Sequence, residues 1–285
     1  MGQSARRRAL VIAGSTVITG FALVAPAYAA TSGHSATTAA TTAAPHTASG
    51  TLLQPGGAIR HLVRPQTAQN GVKNQTTTST NWSGYAATGS NFTSVASSWT
   101  EPTGTCNTSG AQYSSFWVGL DGYNSNSVEQ TGTDTDCSGR TPQYYAWYEM
   151  YPAPSYEINH IVRPGDKISA SVTYAGSSSF TLTISDSTQG WTYTTSKRLS
   201  GAARSSAEVI AEAPCCTSSG GTLPLADFGT VNFTGSTSNG STLSSFNPVG
   251  ITMVSASGKQ EDSISALSGG SFSARWLSSG NGPRR

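Results

Sequence analysis

Histidine is almost absent from most of this chain. Of four histidines in 285 residues, only His160 lies after residue 80. Ser-His-Asp and Cys-His nucleophilic sites need an imidazole to accept a proton, and zinc sites commonly use histidine ligands. Because His160 precedes a turn at Pro164-Gly165, we expect it to lie on the surface and not in a catalytic site. We therefore expect no such site, no metal and no other cofactor.

Acidic residues are missing from the first 80 positions. All fourteen Asp and Glu lie later, together with ten of the sixteen Lys and Arg, so the body of the chain has a net charge of −4 although the whole chain is +2. A nucleic-acid partner would need a basic face, and we expect none. Charged residues are only 11% of the chain. Few ion pairs can then be lost on protonation, which suits exposure to acid.

Familiar catalytic motifs are also absent. The chain has no GxGxxG, P-loop or HExxH pattern and no repeat period. An aspartic-protease dyad needs two carboxylates that share a proton, usually in Asp-Thr/Ser-Gly contexts. Asp121-Gly122 lacks the hydroxyl residue and has no second copy, so we do not expect such a dyad.

The N-terminus has the pattern of an export signal. Three arginines at positions 6–8 precede an apolar stretch, and Ala27-Tyr28-Ala29 matches a cleavage site. We predict a signal peptide over 1–29 and, since no second hydrophobic segment follows, no membrane association after cleavage. Residues 30–80 are rich in Thr, Ala, Gly and Pro and are predicted to be a largely disordered pro-segment or linker. One domain is predicted over 81–278, with a tail over 279–285.

Cysteine is also scarce. In an exported chain four cysteines favour disulfides over metal ligands, and three pairings are possible. We predict a Cys106–Cys137 disulfide. That pairing leaves Cys215 and Cys216 adjacent, either as a strained vicinal bridge or as free thiols.

What the body does contain is short alternating segments separated by Gly, Ser, Asn and Pro. Period-two alternation rich in Thr, Val and Tyr is typical of half-buried antiparallel strands, and many such strands indicate a sandwich or barrel. Residues 202–213 come closest to a helical pattern, but their Pro and Cys neighbours disfavour a helix. The clearest strand segments are 168–174, 180–184, 191–193, 231–233 and 272–276.

Five blocks of residues carry a more specific signal. In chain order they are Trp117-Val-Gly-Leu-Asp-Gly122, Val128-Glu-Gln-Thr-Gly132, Trp147-Tyr-Glu-Met-Tyr-Pro152, Ala207-Glu-Val-Ile-Ala-Glu212 and Ala226-Asp-Phe-Gly-Thr-Val-Asn-Phe-Thr234. At these residues the chain resembles the glutamic peptidases, also called eqolisins. The resemblance extends from about Asn81 to Trp276. It departs from the family at Val209, where an aromatic is expected, and at the Cys215-Cys216 pair.

The resemblance implies a fold, an activity and a site. It implies an all-β sandwich of two bent antiparallel sheets, similar to legume lectins of the concanavalin type. It implies an acid endopeptidase that pepstatin does not inhibit. The catalytic residues would be Gln130 and Glu212, and the substrate-binding residues would be Trp117, Asp121 and Glu149.

The chemistry of these side chains suits that division of roles. Peptide hydrolysis without a metal or a covalent intermediate needs a base for water, a donor for the oxyanion and an acid for the leaving amine. The Glu212 carboxyl group can supply the base and the acid. The Gln130 amide offers donors that do not titrate. Glutamate titrates near pH 4.3, so activity is expected to favour acid.

Several other polar residues compete for a role. Glu208 is four residues from Glu212 and would lie on the same strand face, which makes it the alternative catalytic glutamate. Glu129 should point to the opposite face and be solvated. Asp121 and Asp227 could be turn residues, and the role of Trp117 could be core packing or substrate contact. Trp147 leaves the same two alternatives open.

Two other function classes fit the residues less well. A carbohydrate-binding sandwich would look similar in sequence, and a glycoside hydrolase could use Glu149 with Glu212. The Gln130 and Glu212 blocks favour the peptidase. We expect a secreted, extracellular monomer whose partners are protein or peptide substrates.

Overall fold

The fold consists almost entirely of β-strands. The computed structural model describes residues 76–215 and 221–280, and within these ranges the only helix is a 3₁₀ helix, Leu243–Phe246. No helix of the described residues is long and apolar enough to cross a membrane. The predicted signal peptide, most of the pro-segment, Cys216 and the last five residues lie outside the described ranges.

Sixteen strands make up the described structure. They are β1 Thr76–Ser79, β2 Trp82–Thr88, β3 Ser94–Thr100, β4 Ser115–Leu120, β5 Val128–Ser138, β6 Thr141–Tyr151, β7 Tyr156–Ile158, β8 Lys167–Gly176, β9 Ser179–Asp186, β10 Trp191–Arg198, β11 Ser206–Glu212, β12 Thr230–Ser238, β13 Ser241–Thr242, β14 Val249–Met253, β15 Asp262–Ile264 and β16 Phe272–Trp276.

The strands form two sheets. The first has the order β1-β14-β2-β11-β4-β5-β6-β7, and the second has the order β10-β9-β8-β3-β12-β16-β15, with β13 beside β12. The predicted β-sandwich is confirmed, and so are the five strand segments read from alternation, which lie within β8, β9, β10, β12 and β16. One pairing differs from the antiparallel expectation, because β1 runs parallel to β14.

Alternation explains how the main core forms. Strand β9 alternates between half-buried Thr and Ser and fully buried Phe180, Leu182 and Ile184, so one face of the strand carries all its large apolar side chains. These pack with Phe116 and Val118 of the first sheet. Burial of each such side chain contributes about 1.5–3 kcal/mol. This core, which holds side chains of both sheets, is the interior of the sandwich.

A second apolar cluster contains residues of the first sheet and its connecting loops only. On β2, β4, β6 and β11 its side chains occupy the strand positions that alternate with the core positions, so they lie on the face turned away from the sandwich interior. We call this the outer face. Its buried members are Trp82, Ala86, Trp117, Tyr123, Val128, Trp147, Ile210 and Ile251.

The disulfide joins the loop before β4 to the end of β5. Cys106 and Cys137 are bonded, with Cα atoms 5.5 Å apart, as predicted. Beside it, Gln112 and Cys137 exchange two backbone hydrogen bonds. The covalent loop therefore holds together the two neighbouring strands that carry Trp117 and Gln130. Cys215 is also disulfide-bonded, so the free-thiol alternative is wrong for this residue.

Candidate active site

The outer face brings four of the predicted site residues onto one surface. Gln130 of β5 pairs with Gly119 of β4 on one side and with Glu149 of β6 on the other. Glu212 of β11 pairs with Ser115 of β4. Trp117 lies between Ser115 and Gly119 on β4, two residues from each, so its side chain points to the same side of the sheet as those two positions. The register alone therefore places Gln130, Glu149, Trp117 and Glu212 on the same face.

Glu212 is held by two neutral donors. The indole nitrogen Nε1 of Trp117 donates to Oε2 at 2.7 Å, and Nδ2 of Asn81 donates to Oε1 at 3.1 Å. All three side chains are buried. Each carboxylate oxygen thus has a fixed donor, and neither donor carries a charge. The carboxyl group is oriented without a counter-charge from these two residues.

Gln130 is oriented by a carboxyl group. Its Nε2 donates to Oε2 of Glu149 at 2.6 Å, and both residues are fully buried. Because the amide nitrogen faces Glu149, Oε1 is directed elsewhere, and it accepts no hydrogen bond from the described residues. Glu149 therefore fixes the orientation of the Gln130 amide.

The indole of Trp117 lies between the Gln130 and Glu212 side chains. An ideal Cβ built on Gly119 would lie 2.9 Å from Cζ3 of Trp117 and 3.1 Å from Cβ of Gln130, so the benzene end of the indole lies beside Gln130. The nitrogen of the same ring contacts Glu212. Trp117 also meets Trp82 edge-on, with ring centroids 4.8 Å apart. Gln130 and Glu212 are therefore at the two ends of one immobilised indole.

Glycines make room for this indole. A Cβ on Gly119 would collide with the ring, and a Cβ on Gly132 would lie 2.2 Å from the backbone oxygen of Phe116 and 2.6 Å from Cβ of Trp117. Such contacts do not occur between real atoms, so a larger residue at either position would displace Trp117. The packing of Trp117 therefore explains why glycine occupies positions 119 and 132.

Asp121 anchors a loop. It directly follows β4 with a positive φ of 69°, and it is fully buried. Its two carboxyl oxygens accept hydrogen bonds from the backbone nitrogens of Arg204 and Ser205, both at 2.8 Å. These residues precede β11 directly. Asp121 thus fixes the backbone of the loop that leads into the Glu212 strand.

Glu208 and Glu129 are both fully buried. Glu208 lies on the outer face with Glu212, as predicted. Burial, and then the charges of Asp121 and Glu129, raise the pKa of Glu208 well above its ordinary value. Glu129 points to the opposite face, but the expectation that it is solvated is wrong, because its side chain is fully buried opposite Leu120 and Met150. Burial and the neighbouring Asp121 raise the pKa of Glu129 to about 8.

The structure adds polar residues that the sequence did not indicate. Asn81 is one of them. Two others are Asp134 and Asp136, which share the outer face with Gln130 because they follow it at even spacing along β5. Nε1 of Trp147 donates to Asp134 at 2.5 Å. The Tyr145 hydroxyl lies 2.7 Å from Asp134 and 2.9 Å from Asp136. The period-two pattern of β5 was the available signal for both carboxyl groups.

Three further predictions concern His160, Asp227 and the absence of a metal site. His160 is exposed and stacks on Trp191 with ring centroids 4.9 Å apart. Asp227 accepts a hydrogen bond from the backbone nitrogen of Gly229 at 3.0 Å, as a turn residue does. In the described parts of the chain, no three His, Cys, Asp or Glu side chains are grouped as metal ligands.

The comparison with known families bears directly on this surface. The model of the Peptidase A4 family matches residues 80–274, which include Asn81, every strand of the outer face after β1, and Glu212. The chain belongs to this family. The family predicted from the five sequence blocks is thereby confirmed, and the carbohydrate-binding and glycoside-hydrolase alternatives are set aside.

Individual relatives agree with the family assignment. Scytalidopepsin B of Scytalidium lignicola is 32% identical over 167 residues, which are 54% of this chain and 62% of that protein. The chain thus matches less than two thirds of the length of this curated relative. Among solved structures, scytalido-glutamic peptidase with a transition state analog inhibitor matches with a TM-score of 0.61 and 28% identity, over 70% of this chain and 98% of the other. The eqolisin SCP-B, in a complex with the tripeptide Ala-Ile-His, matches with a TM-score of 0.58 and 26% identity over the same shares.

Proposed function

We propose that this protein is a secreted acid endopeptidase in which Glu212 and Gln130 carry out peptide-bond hydrolysis. The observation that carries the proposal is the arrangement around Trp117, which holds a carboxyl group at one end of its indole and an oriented amide at the other. Membership of the Peptidase A4 family supports the reaction class.

In the proposed reaction, Glu212 acts first as a base and then as an acid. Its carboxylate accepts a proton from a water molecule as the water oxygen bonds to the scissile carbonyl carbon. The electron pair of the carbonyl moves to oxygen, and the Gln130 amide stabilises this oxyanion by hydrogen bonding. Glu212 then gives the proton to the leaving nitrogen as the C–N bond breaks. Protons balance, and no covalent enzyme intermediate forms.

The neighbouring residues are assigned supporting roles. Glu149 keeps the Gln130 amide in one orientation through the 2.6 Å contact, and Trp117 keeps Glu212 in place while its ring covers Gly119. Both are also assigned to peptide binding, since they lie on the same face of the first sheet as Gln130 and Glu212. Asp121 would shape the site indirectly by fixing the 204–205 backbone.

Export and processing complete the proposal. We assign 1–29 to a signal peptide and the following segment to an inhibitory pro-segment. That segment has no acidic residue and carries Arg60, His61 and Arg64, while the outer face carries several carboxyl groups, including those of Glu149 and Asp134. Charge-assisted contacts between the two would weaken as the carboxyl groups become protonated, so acid would release the segment.

The deciding experiment compares isosteric variants at the two glutamates of β11. Glu212→Gln should reduce kcat/KM for acid hydrolysis of a denatured protein by at least about 10²–10³, and Gln130→Ala should cause a similar loss, since one oriented donor is worth this much. Glu208→Gln is the matched control and should retain near-native activity, because Glu208 lies on the same face of β11 and burial raises the pKa of its carboxyl group, which favours the neutral form that the amide resembles.

Thermal unfolding of each variant shows whether the fold survives. Near-normal hydrolysis by Glu212→Gln, or a loss confined to Glu208→Gln, would contradict the assignment. Pepstatin, added to the native enzyme, should leave activity unchanged.

A further inference from the structure

We propose that Asn81 is a positioning residue for Glu212, and that the Ser79–Asn81 turn thereby makes the N-terminal strand β1 part of the active site. The proposal rests on the catalytic role proposed for Glu212. It starts from a hydrogen-bond network that joins residues 131 positions apart in the chain.

The turn is organised around the Ser79 hydroxyl. Its Oγ accepts hydrogen bonds from the backbone nitrogens of Asn81 at 3.3 Å and Trp82 at 3.1 Å. The same hydroxyl donates to Oδ1 of Asn81 at 3.1 Å. A hydroxyl has one hydrogen and two lone pairs, so Ser79 uses its full capacity within this turn.

This network settles the orientation of the Asn81 amide. Because Oδ1 accepts from Ser79, the nitrogen must be on the other side, where it donates to Oε1 of Glu212 at 3.1 Å. A flip of the amide would place an oxygen against the carboxylate and a nitrogen against a hydroxyl hydrogen. Both contacts would be lost together, so Ser79 selects the orientation that Glu212 needs.

The backbone fixes both ends of the network. β1 pairs with β14 from Thr76 to Ser79, and the backbone oxygen of Ser79 accepts from Val254 at 2.8 Å. The residue after Glu212, Ala213, donates its backbone N–H to the carbonyl of Asn81 at 2.8 Å. Asn81 and Glu212 are therefore held side by side by main-chain bonds before their side chains meet.

A neutral donor is suited to a carboxyl group that must gain and lose a proton. A Lys or Arg at this place would bind the carboxylate as an ion pair and oppose its protonation. An amide orients Oε1 without adding charge. Together with Trp117 on Oε2, it fixes the direction of the Glu212 carboxyl group without placing a positive charge beside it.

The network also limits where the chain can be processed. A cut shortly before Asn81, where the predicted domain begins, would remove β1 and Ser79. The mature enzyme should instead begin at or before Thr76, so that the strand and the hydroxyl are kept.

The test uses three variants of the mature enzyme. Asn81→Ala should lower kcat/KM about 10- to 100-fold at every pH, the effect expected for one hydrogen bond to a charged group. Ser79→Ala should lower it by a smaller factor. Asn81→Asp provides the distinctive readout, since a protonated Asp can donate to Glu212 and an ionised one repels it. Its activity relative to Asn81→Ala should rise as the pH falls and the introduced carboxyl group becomes protonated, and burial beside Glu212 raises the pKa of that group above the ordinary value of an aspartate.

Two controls separate this inference from a general loss of structure. Asn232→Ala changes an exposed asparagine of the second sheet and should retain native kcat/KM. Thermal unfolding at the assay pH shows that each variant is folded. Equal pH profiles for Asn81→Asp and Asn81→Ala, or native activity in Asn81→Ala while Glu212→Gln is inactive, would overturn the inference. An active Glu212→Gln would instead overturn the proposed function. N-terminal sequencing that places the mature start after Ser79 would overturn the processing limit.

Discussion

Glu101 offers a direct test of how burial shapes the pH dependence of stability. It follows β3 and is 1% exposed. Its carboxyl oxygens accept hydrogen bonds from Thr133 at 2.5 Å and Thr135 at 2.6 Å. Burial is the dominant effect and outweighs these hydrogen bonds, so the pKa of Glu101 is raised from 4.5 to about 8. The charge of Asp134 raises it further. The folded protein therefore holds Glu101 protonated at neutral pH.

The sign and size of the effect follow from proton linkage. Between about pH 4.5 and 8 the folded protein binds this proton and the unfolded chain does not, so the stability contributed by Glu101 is complete below pH 4.5 and is lost as the pH rises to about 8. At about 1.36 kcal/mol for each pH unit, the loss between pH 4 and pH 7 is about 3 kcal/mol. For a domain of this size that corresponds to about 6–12 °C in Tm.

Glu101→Gln removes the titration and keeps the shape. The amide can accept from Thr133 and donate to Thr135, whose hydroxyl can also accept. We expect the variant and the native protein to have similar free energies of unfolding at pH 4, and the variant to be more stable by about 3 kcal/mol at pH 7. Urea denaturation from pH 4 to 8 measures the difference. Other buried carboxyl groups titrate in both proteins and cancel.

An exposed glutamate provides the control. Glu157 lies on β7 and is solvent-exposed, so Glu157→Gln should change stability little at any pH in this range. If the profiles of Glu101→Gln and the native protein run parallel, Glu101 is not held neutral by the fold, and the reasoning from burial fails.

Three further predictions concern other parts of the molecule. Gly132→Ala should destabilise the fold by more than about 2 kcal/mol, because the added Cβ would lie 2.2 Å from the backbone oxygen of Phe116. Urea denaturation measures the change. A variant with native stability would contradict this packing. Non-reducing peptide mapping should recover Cys106 linked to Cys137, and a link from either to another cysteine would contradict the structure. A synthetic peptide of residues 57–73 should bind and inhibit the mature enzyme at neutral pH and dissociate in acid. Fluorescence titration measures this binding. Tighter binding in acid would refute the proposal that the pro-segment is held by electrostatic attraction.

From the sequence, the sheet face on which a side chain lies could be predicted more readily than the residues that it contacts. Alternation along β5 and β11 places Gln130, Glu208 and Glu212, and the resemblance to a family singles out two of them. Alternation also places Glu129 on the other face. It does not reveal that the second sheet covers that face, so the expected solvation of Glu129 was wrong. Burial depends on which strands pair at long range, and this information is spread over the whole chain.

The role of Asn81 was hidden for a similar reason. An Asn two residues after a Ser is common in turns, and nothing local relates it to a glutamate more than a hundred positions later. Only the pairing of β2 with β11 brings the two together. β1 was likewise assigned to the pro-segment, because a four-residue strand of Thr and Ser has no apolar pattern. Its structure comes from its partner β14.

The Tyr145 hydroxyl determines how many hydrogens are needed for hydrogen bonds to both Asp134 and Asp136. This group lies within hydrogen-bond distance of carboxyl oxygens of both Asp134 and Asp136, yet it has a single hydrogen to donate. The second contact can be a hydrogen bond only if one of the two aspartates brings a hydrogen of its own. Burial, followed by the charges of the two aspartates, raises the pKa of Tyr145 well above its ordinary value, so the tyrosine keeps its hydrogen. With one hydrogen on an aspartate, the three oxygens would share two hydrogens, and both contacts in this part of the β5–β6 hairpin would be hydrogen bonds.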